Sequence, residues 1–239
     1  MSTYPYRAAG KLFLRNPANG ATVFCSAAVI NKRLLGTAGH CVYDTAANRF
    51  YDNFRFVPAY NNGSAPYGSW DWQWVWAANT WINSVGSAPF PNNGDFAILE
   101  VQDENVAGAT RKIGDHVGFL GWVTNGLVGQ NITTLGYPLN LDNGQRMQIT
   151  NSEARAVSGA NAGQIGNDQT GGSSGGPWMR DFGVSGNGNP TTAANRNRIV
   201  GYTSYGPTQF GPRYQGATVL NQEWVNMYNQ ACARRSGNC

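Results

Sequence analysis

Charged residues, histidine and long apolar runs are all scarce in this chain of 239 residues. Only 13% of the residues are charged whereas 31 are glycine, a composition typical of β-rich, loop-rich proteins rather than helical bundles or disordered chains. The net charge of +4 comes mostly from scattered arginines, which form no basic stripe, so no nucleic-acid partner is predicted. Because no apolar run reaches the roughly 18 residues of a membrane helix, no membrane association is expected.

The chain has two histidines, four cysteines and no C-x-x-C pair, so neither a metal site nor a cofactor is predicted. Four cysteines allow three pairings, of which the local one, Cys25 with Cys41 and Cys232 with Cys239, is the simplest. Disulfides require an oxidising compartment, and a secreted protein is therefore expected. Met1–Pro5 contains no signal peptide and is interpreted as the start of a mature or recombinant chain from which any targeting segment has been removed.

The stretch Thr170–Pro177 consists of glycine, serine and threonine with one closing proline. Such a stretch predicts a tight loop whose backbone can come close to a ligand. A serine in this loop would be exposed and flanked by free N–H groups, which is what a nucleophilic serine requires. A flexible turn without chemistry explains the same stretch equally well, so the rest of the chain has to decide.

A nucleophilic serine needs a base, and the two histidines are His40, in Thr37–Cys41, and His116, in a turn-like context. Both precede Ser174, which excludes the nucleophile elbow of α/β-hydrolases because that arrangement needs a later histidine. No aspartate precedes His40, which excludes the subtilisin order. The order that remains for His40 is histidine, aspartate, serine.

The aspartate of such a triad should lie between the histidine and the serine. The candidates are Asp44, Asp52, Asp71, Asp95, Asp103, Asp115, Asp142 and Asp168. Asp95 is favoured because it follows the turn signal Asn92–Gly94 and opens the apolar run Phe96–Val101, which predicts a strand. An acid at the mouth of a buried strand is held firmly, which suits a group that fixes the tautomer of a histidine.

Three blocks of this sequence, Thr37–Cys41, Gly94–Leu99 and Gly172–Pro177, resemble the signature blocks of the trypsin/chymotrypsin-like serine proteases. Further blocks resemble the bacterial and fungal glutamyl-endopeptidase-like branch of that family. They are Cys25–Ile30, Gly136–Pro138 and Gly201–Gly206. The likeness runs from about Gly10 to Ala231. It also supports the first of the two local disulfides.

The resemblance implies an all-β fold of two six-stranded antiparallel β-barrels (chymotrypsin-like) with the active site between them and a C-terminal α-helix. The whole chain, 1–239, is expected to form one peptidase domain, with barrels at about 10–123 and 131–220 and the helix at 221–235. A Gly-rich polar segment, 124–130, is the predicted boundary, and a monomer is expected. Short runs of strand-forming residues between Asn, Gly and Pro clusters agree with this fold. These predicted strands are Lys11–Leu14, Thr22–Ile30, Arg33–Ala38, Phe54–Ala59, Trp72–Ala77, Phe96–Val101, Val117–Val123, Ile132–Tyr137, Arg146–Ala154, Pro177–Met179, Ile199–Ser204 and Ala217–Leu220.

Two local patterns carry further expectations. Alternating Trp70, Trp72, Trp74 and Trp76 predict a strand with one buried or covered face, in preference to an aromatic binding platform. At the C-terminus Asn221 is the predicted N-cap of a helix that begins at Gln222, with Trp224, Val225, Tyr228 and Ala231 on one face.

In the reaction that the resemblance implies, Ser174 attacks the carbonyl of a peptide bond, His40 takes and returns the proton, and Asp95 orients His40. The backbone N–H groups of Gly172 and Ser174 would form the oxyanion hole. Zymogen-type members carry an aspartate directly before the nucleophile, whereas this chain has Ser173. The loop that carries Gly172 and Ser174 is therefore expected to keep its conformation without an ion pair to a buried N-terminal amine.

The substrate pocket is the part of the site on which the family pattern is ambiguous. Asp168 lies six residues before Ser174, where trypsin-like members use an aspartate to select Arg or Lys. Gln169 is long enough to fill that pocket, and Thr203 stands where the glutamyl branch has a histidine. We therefore expect Asp168 to be a structural acid bonded to loop N–H groups. The cleavage preference is then expected to be a different or a broad one, neither basic nor strictly for glutamate.

The predicted partners are polypeptide substrates, bound in extended form. Ser204, Tyr205 and Gly206 are expected to pair with the substrate backbone as an added strand, with Gly206 leaving the mouth of the pocket open. Two other functions remain open: a catalytically inactive, protease-like binding protein, and an esterase using the same triad. The presence of all three triad residues argues against the first, and comparison of ester with protein hydrolysis would separate the second.

Overall fold

The computed structural model of the protein describes residues 3–84, 90–183, 196–207 and 213–239. Its strands are β1 Ala9–Arg15, β2 Thr22–Val29, β3 Leu34–Thr37, β4 Tyr43–Asp44, β5 Arg49–Phe50, β6 Asp52–Pro58, β7 Trp70–Ala77, β8 Ala97–Val101, β9 Glu104–Val106, β10 Ala109–Arg111, β11 Gly121–Trp122, β12 Asn131–Gly136, β13 Gln148–Glu153, β14 Arg155–Ala156, β15 Ala162–Gly166, β16 Pro177–Arg180, β17 Arg198–Tyr205 and β18 Tyr214–Val219. The helices are α1 Asn79–Ile82, α2 Ile113–Val117 and α3 Gln222–Arg234, and short 3₁₀ turns occur at Tyr6–Ala8, Gly39–Cys41 and Asp142–Gly144.

The first half of the chain forms a closed barrel in the strand order β1-β2-β3-β8-β7-β6. All residues of β3 and β8 are buried, on both faces of the sheet. A strand covered on both faces needs a continuous apolar run rather than alternation. This burial explains why Phe96–Val101 could be predicted as a strand from its composition alone.

The second half forms an open, curved sheet in the order β13-β12-β16-β17-β18-β15-β14. The predicted all-β, chymotrypsin-like fold with a C-terminal helix is confirmed, but this second sheet is a half-barrel rather than a closed six-stranded barrel. No backbone ladder joins β13 to β15 in the described residues, and Thr150 on β13 donates instead to Asn167 Oδ1, directly after β15, at 3.1 Å. Side-chain hydrogen bonding therefore replaces a backbone ladder there.

The prediction of a strand over the whole of Val117–Val123 is wrong, since only Gly121–Trp122 is a strand. The chain forms α2 and then β11, which pairs in parallel with β17 of the second sheet. Gly114 packs so closely on the backbone of Asn31 and Lys32 that a Cβ would not fit, and Gly118 ends the helix with a φ of 79°. The close backbone packing at Gly114 and the positive φ at Gly118 decide the local structure, and the apolar composition does not.

The C-terminal helix begins as predicted, because the Asn221 side chain accepts hydrogen bonds from the N–H groups of Glu223 at 2.9 Å and Trp224 at 3.4 Å. Its buried residues are Trp224, Met227 and Ala231. Met227 thus takes a core position that was assigned to Val225 and Tyr228, which are only half-buried. None of the helices in the described part of the chain combines the length and the apolar character needed to cross a bilayer.

The tryptophan-rich strand β7 does not keep one buried face along its length. Trp70 is fully buried, whereas 49% of Trp74 is exposed. A register shift between Trp72 and Trp74 interrupts the pairing with β8, and such a bulge turns the following side chains to the other side. The prediction of a buried face therefore holds for Trp70 and fails for Trp74.

Candidate active site

Two neighbouring strands of the barrel bring His40 and Asp95 together. Strands β3 and β8 are antiparallel, with Thr37 opposite Ala97, so the end of β3 and the start of β8 lie at the same end of the barrel. His40 comes three residues after Thr37 and Asp95 two residues before Ala97. In the structure His40 Nδ1 lies 2.9 Å from Asp95 Oδ2, and the His40 backbone N–H donates to Asp95 Oδ1 at 2.8 Å.

The Asp95 carboxylate is completely buried and receives a third hydrogen bond from the second half of the chain. Ser204, on β17, donates its hydroxyl to Asp95 Oδ2 at 2.5 Å. Buried charge is tolerated when it is fully hydrogen-bonded. The three donors therefore hold the carboxylate in one orientation and present one oxygen to the imidazole of His40.

The environment of His40 favours its protonated form. Burial of the ring opposes the imidazolium, but the charge of Asp95 and the hydrogen bond to it outweigh burial and raise the pKa of His40 above its ordinary value of 6.5. The side chain is still 24% exposed, so one edge of the ring faces the cleft. With Nδ1 bonded to Asp95, Nε2 is the nitrogen free to exchange a proton.

Ser174 and its neighbour Ser173 differ in what their hydroxyls can do. Ser173 is 1% exposed, donates to the Thr170 carbonyl at 2.6 Å and accepts from Gln215 Nε2 at 2.7 Å. Ser174 is half-buried and lines the same cleft as His40. The hydroxyl of Ser173 is thus committed to the interior, and Ser174 is the serine available to a ligand.

The peptide groups before Gly172 and Ser174 are each held through their carbonyl oxygens. Leu139 N–H donates to the Gly171 oxygen at 2.8 Å, and Gly176 N–H donates to the Ser173 oxygen at 2.9 Å. In a trans peptide the N–H points opposite to the C=O. The N–H groups of Gly172 and Ser174 are therefore turned away from these anchors, and neither has an acceptor among the residues that the structure describes.

One cleft contains most of the residues expected at the substrate site. Its lining includes the expected Gln169, Thr203, Ser204, Tyr205 and Gly206. It also includes residues that the sequence did not single out as substrate contacts, namely Phe90, Thr170, Gly171, Ser173, Pro207 and Gln215. Phe90 lies against the site, with its ring centroid 6.2 Å from that of His40 and 5.9 Å from that of Tyr205.

Asp168 is placed differently from the expectation. Its side chain is exposed and does not line the cleft, and no loop N–H in the described residues donates to its carboxylate. Only its backbone carbonyl is used, as the acceptor for Asn140 Nδ2 at 2.9 Å. Asp168 is therefore neither a pocket floor nor the hydrogen-bonded structural acid that the sequence predicted.

Buried amide side chains, and not an acidic one, lie behind the pocket. Gln215 Nε2 donates both to Ser173 Oγ and to the Gln169 carbonyl, and Gln215 Oε1 accepts from Asn167 at 2.8 Å. The Gln169 side chain in turn donates to Thr150 at 3.1 Å. Gln215 is 42 residues from Ser173 along the chain, so no local pattern could have indicated this contact.

Potential metal ligands gather at one place in the described chain, namely Cys25, His40 and Cys41. The sulfurs of Cys25 and Cys41 form a disulfide, and a second disulfide joins Cys232 to Cys239. Disulfide sulfur is not the thiolate that binds metal ions. The first bridge instead ties the turn that carries His40 to strand β2, and both local pairings expected from the sequence are present.

The fold is that of a known class. The model of the trypsin family matches residues 3–225, so the chain belongs to the trypsin family.

Among individual proteins, it is similar to a glutamyl endopeptidase of Bacillus licheniformis, with 28% identity over 232 residues. That match covers 95% of this chain but 64% of the relative, so the chain spans just under two thirds of the relative's length. The resemblance to the glutamyl-endopeptidase-like branch is confirmed.

Two solved structures resemble the protein over nearly their whole length. The thermostable serine protease AL20 from an extremophilic microorganism has a TM-score of 0.78 and 28% identity, covering 96% of this chain and 99% of that one. The protease Anisep from Arthrobacter nicotinovorans has a TM-score of 0.77 and 29% identity, covering 96% and 97%.

Proposed function

We propose that this protein is a serine endopeptidase with His40, Asp95 and Ser174 as its catalytic triad. The observation that carries the proposal is the double attachment of His40 to the fully buried Asp95, through both its backbone N–H and Nδ1, in a cleft shared with Ser174. This geometry sets the imidazole tautomer that a general base needs.

In the proposed reaction Ser174 Oγ bonds to the carbonyl carbon of the scissile peptide while its proton passes to His40 Nε2. The oxyanion that forms is stabilised by the N–H groups of Gly172 and Ser174, which have no other acceptor among the described residues. The C–N bond then breaks as His40 gives the proton to the leaving amine. Water attacks the resulting acyl-enzyme by the same steps and releases the second product.

The substrate backbone would lie beside strand β17. On one side of this strand the ladder with β16 ends at Tyr202, opposite Pro177, whereas Tyr205 still pairs with Gly216 on the other side. The segment Ser204–Gly206 therefore has an open edge next to Ser174, to which an extended polypeptide can add as a strand. Polypeptides are the proposed substrates.

The proposed specificity is for uncharged side chains. His40 is the one lining side chain of the cleft, within the described residues, that can carry a charge. The Thr203 hydroxyl is already used as the acceptor for Trp178 Nε1 at 2.9 Å. Because His40 must be neutral to act as the base, a charged substrate side chain would enter this pocket without a counter-ion, which is costly. Its two disulfides favour an oxidising compartment, so the enzyme is proposed to act outside the cell.

Reaction of the protein with diisopropyl fluorophosphate tests the proposal without knowledge of its sequence preference. The wild type should gain one phosphoryl group at Ser174, located by peptide mapping, and should hydrolyse casein. Ser174→Ala should lose labelling and roughly 10⁶-fold in kcat, because the triad acts as a unit. The adjacent Ser173→Ala should still be labelled at Ser174. Absence of labelling and hydrolysis in the wild type would instead indicate an inactive, protease-like binding protein.

A further inference from the structure

Lys11, on strand β1, is a buried cation without an acidic partner among the described residues. It is 1% exposed, and its ammonium donates one hydrogen bond, to the Gly144 carbonyl at 2.7 Å. The ammonium otherwise faces aromatic rings, 3.7 Å from the centroid of Phe24, 4.8 Å from Tyr60 and 5.2 Å from Phe13. Burying a charge without an ionic partner is unfavourable, although contacts between a cation and aromatic rings offset part of that cost. The position of the charge therefore calls for an explanation.

A first chain of contacts connects Lys11 through Phe24 to Gly172, whose N–H is a proposed oxyanion donor. The ammonium sits on the face of the Phe24 ring, and the edge of that ring touches Gly172 and Gly144. A Cβ on Gly172 would lie 2.5 Å from Phe24 Cε2, and one on Gly144 would lie 2.6 Å from Phe24 Cζ. Gly172 also has a φ of 92°, which favours glycine. The Phe24 ring thus packs directly against the backbone of Gly172.

A second chain of contacts runs from Lys11 through the loop that contains Gly144, the acceptor of its hydrogen bond. Gly144, whose carbonyl accepts from Lys11, donates its own N–H to the Pro138 carbonyl at 2.9 Å. The next residue, Leu139, donates to the Gly171 carbonyl at 2.8 Å. Both chains of contacts therefore end at the peptide group between Gly171 and Gly172, whose N–H is a proposed oxyanion donor.

We propose that Lys11 is a positioning residue for the oxyanion hole, holding the Gly171–Gly172 peptide group from the first barrel through Phe24 and through Gly144. The inference rests on the proposed serine endopeptidase function. Loss of the ammonium frees the Phe24 ring to move and releases the Gly144 carbonyl. The Gly172 N–H then points less accurately at the developing oxyanion, while binding of the uncharged substrate is unaffected.

Lys11→Met tests this, because methionine keeps most of the side-chain length and removes the charge. We would measure kcat and KM with p-nitrophenyl acetate and the rate of Ser174 phosphorylation by diisopropyl fluorophosphate, since both reactions place a developing negative oxygen in the hole. Complete loss of one oxyanion donor costs about 10²–10³ in kcat, so misorientation should lower kcat and the labelling rate by about tenfold or more with KM unchanged.

Leu14→Ala is the matched control, since Leu14 lies on the same strand, is 2% exposed and loses core contacts only. It should lower the thermal midpoint yet keep the wild-type kcat and labelling rate below its unfolding temperature. Lys11→Arg should restore part of the activity, because a guanidinium also stacks on aromatic faces.

If Lys11→Met does not fold, Phe24→Leu provides the second variant, since it keeps the lysine and removes the ring, and it should show the same fall in kcat. Wild-type kcat and labelling rate in either folded variant would overturn the role of Lys11 and leave the proposed function standing. A wild type that is neither labelled nor active would overturn both.

Discussion

Replacing Asp95 by Asn should change the tautomer of His40 with almost no change in shape. The Asn oxygen can still accept from the His40 backbone N–H, as Asp95 Oδ1 does at 2.8 Å. Its NH₂ group then faces His40 Nδ1, where Oδ2 now lies at 2.9 Å. Because an NH₂ group only donates, Nδ1 must become the acceptor and the proton must move to Nε2. His40 can then no longer accept the proton of Ser174.

The expected loss is about 10⁴-fold in kcat, or about 5.5 kcal/mol of transition-state stabilisation. A second signature is the pH dependence. In the wild type the pKa of His40 is raised, and neutral His40 is the base, so activity should be lost on acidification at a pH above 6.5. In Asp95→Asn both contributions that raise this pKa are absent and burial remains, so the acidic limb should move below that of the wild type.

The assay is kcat/KM for an ester substrate from mildly acidic to alkaline pH, with ¹⁵N shifts of His40 to report the tautomer. Ser204→Ala is the control, because it removes one donor to Asp95 and leaves both oxygens for His40. It should cost at most about 100-fold, the value of one hydrogen bond to a charged group. A loss of less than about tenfold in Asp95→Asn, or an unmoved acidic limb, would refute the assignment of Asp95.

Two further outcomes are expected. Arg234→Ala removes a 2.6 Å ion pair with the fully buried Glu100 and a cation–π contact with Trp74. It should cost about 2–4 kcal/mol of unfolding free energy, a fall of roughly 5–12 °C in Tm. Arg235→Ala, whose nitrogen lies 3.7 Å from Glu100 in a more exposed position, should cost no more than about 1 kcal/mol, and equal losses in calorimetry would contradict this ranking. Asp168→Asn should leave the cleavage-site profile on a peptide library unchanged, because the side chain lies outside the cleft; a lost Arg/Lys preference would place it inside.

The sequence alone determined the candidates for the triad. The order of residues excluded the α/β-hydrolase arrangement, because both histidines precede Ser174, and it excluded the subtilisin order for His40, which no aspartate precedes. Asp95 could be chosen among eight aspartates because a turn signal precedes it and a buried strand follows it. Local signals also located the start of the C-terminal helix, since an N-cap acts within its own turn.

Other features depended on contacts between distant parts of the chain. The tryptophan pattern of β7 could not reveal the bulge that exposes Trp74, because a bulge arises from pairing with β8. Spacing from Ser174 could not show that Asp168 points to solvent or that Gln215 lies behind the pocket instead.

Lys11 shows most clearly that local sequence does not reveal the environment of a side chain. By its sequence it is an ordinary charged residue in a short strand, yet its hydrogen-bond partner Gly144 is 133 residues away. Whether a lysine is solvated or buried among aromatic rings depends on which segments the closed barrel and the half-barrel bring together. Local sequence patterns record the preferences of neighbouring residues, whereas burial, charge environment and the orientation of a peptide group are set by packing across the whole fold.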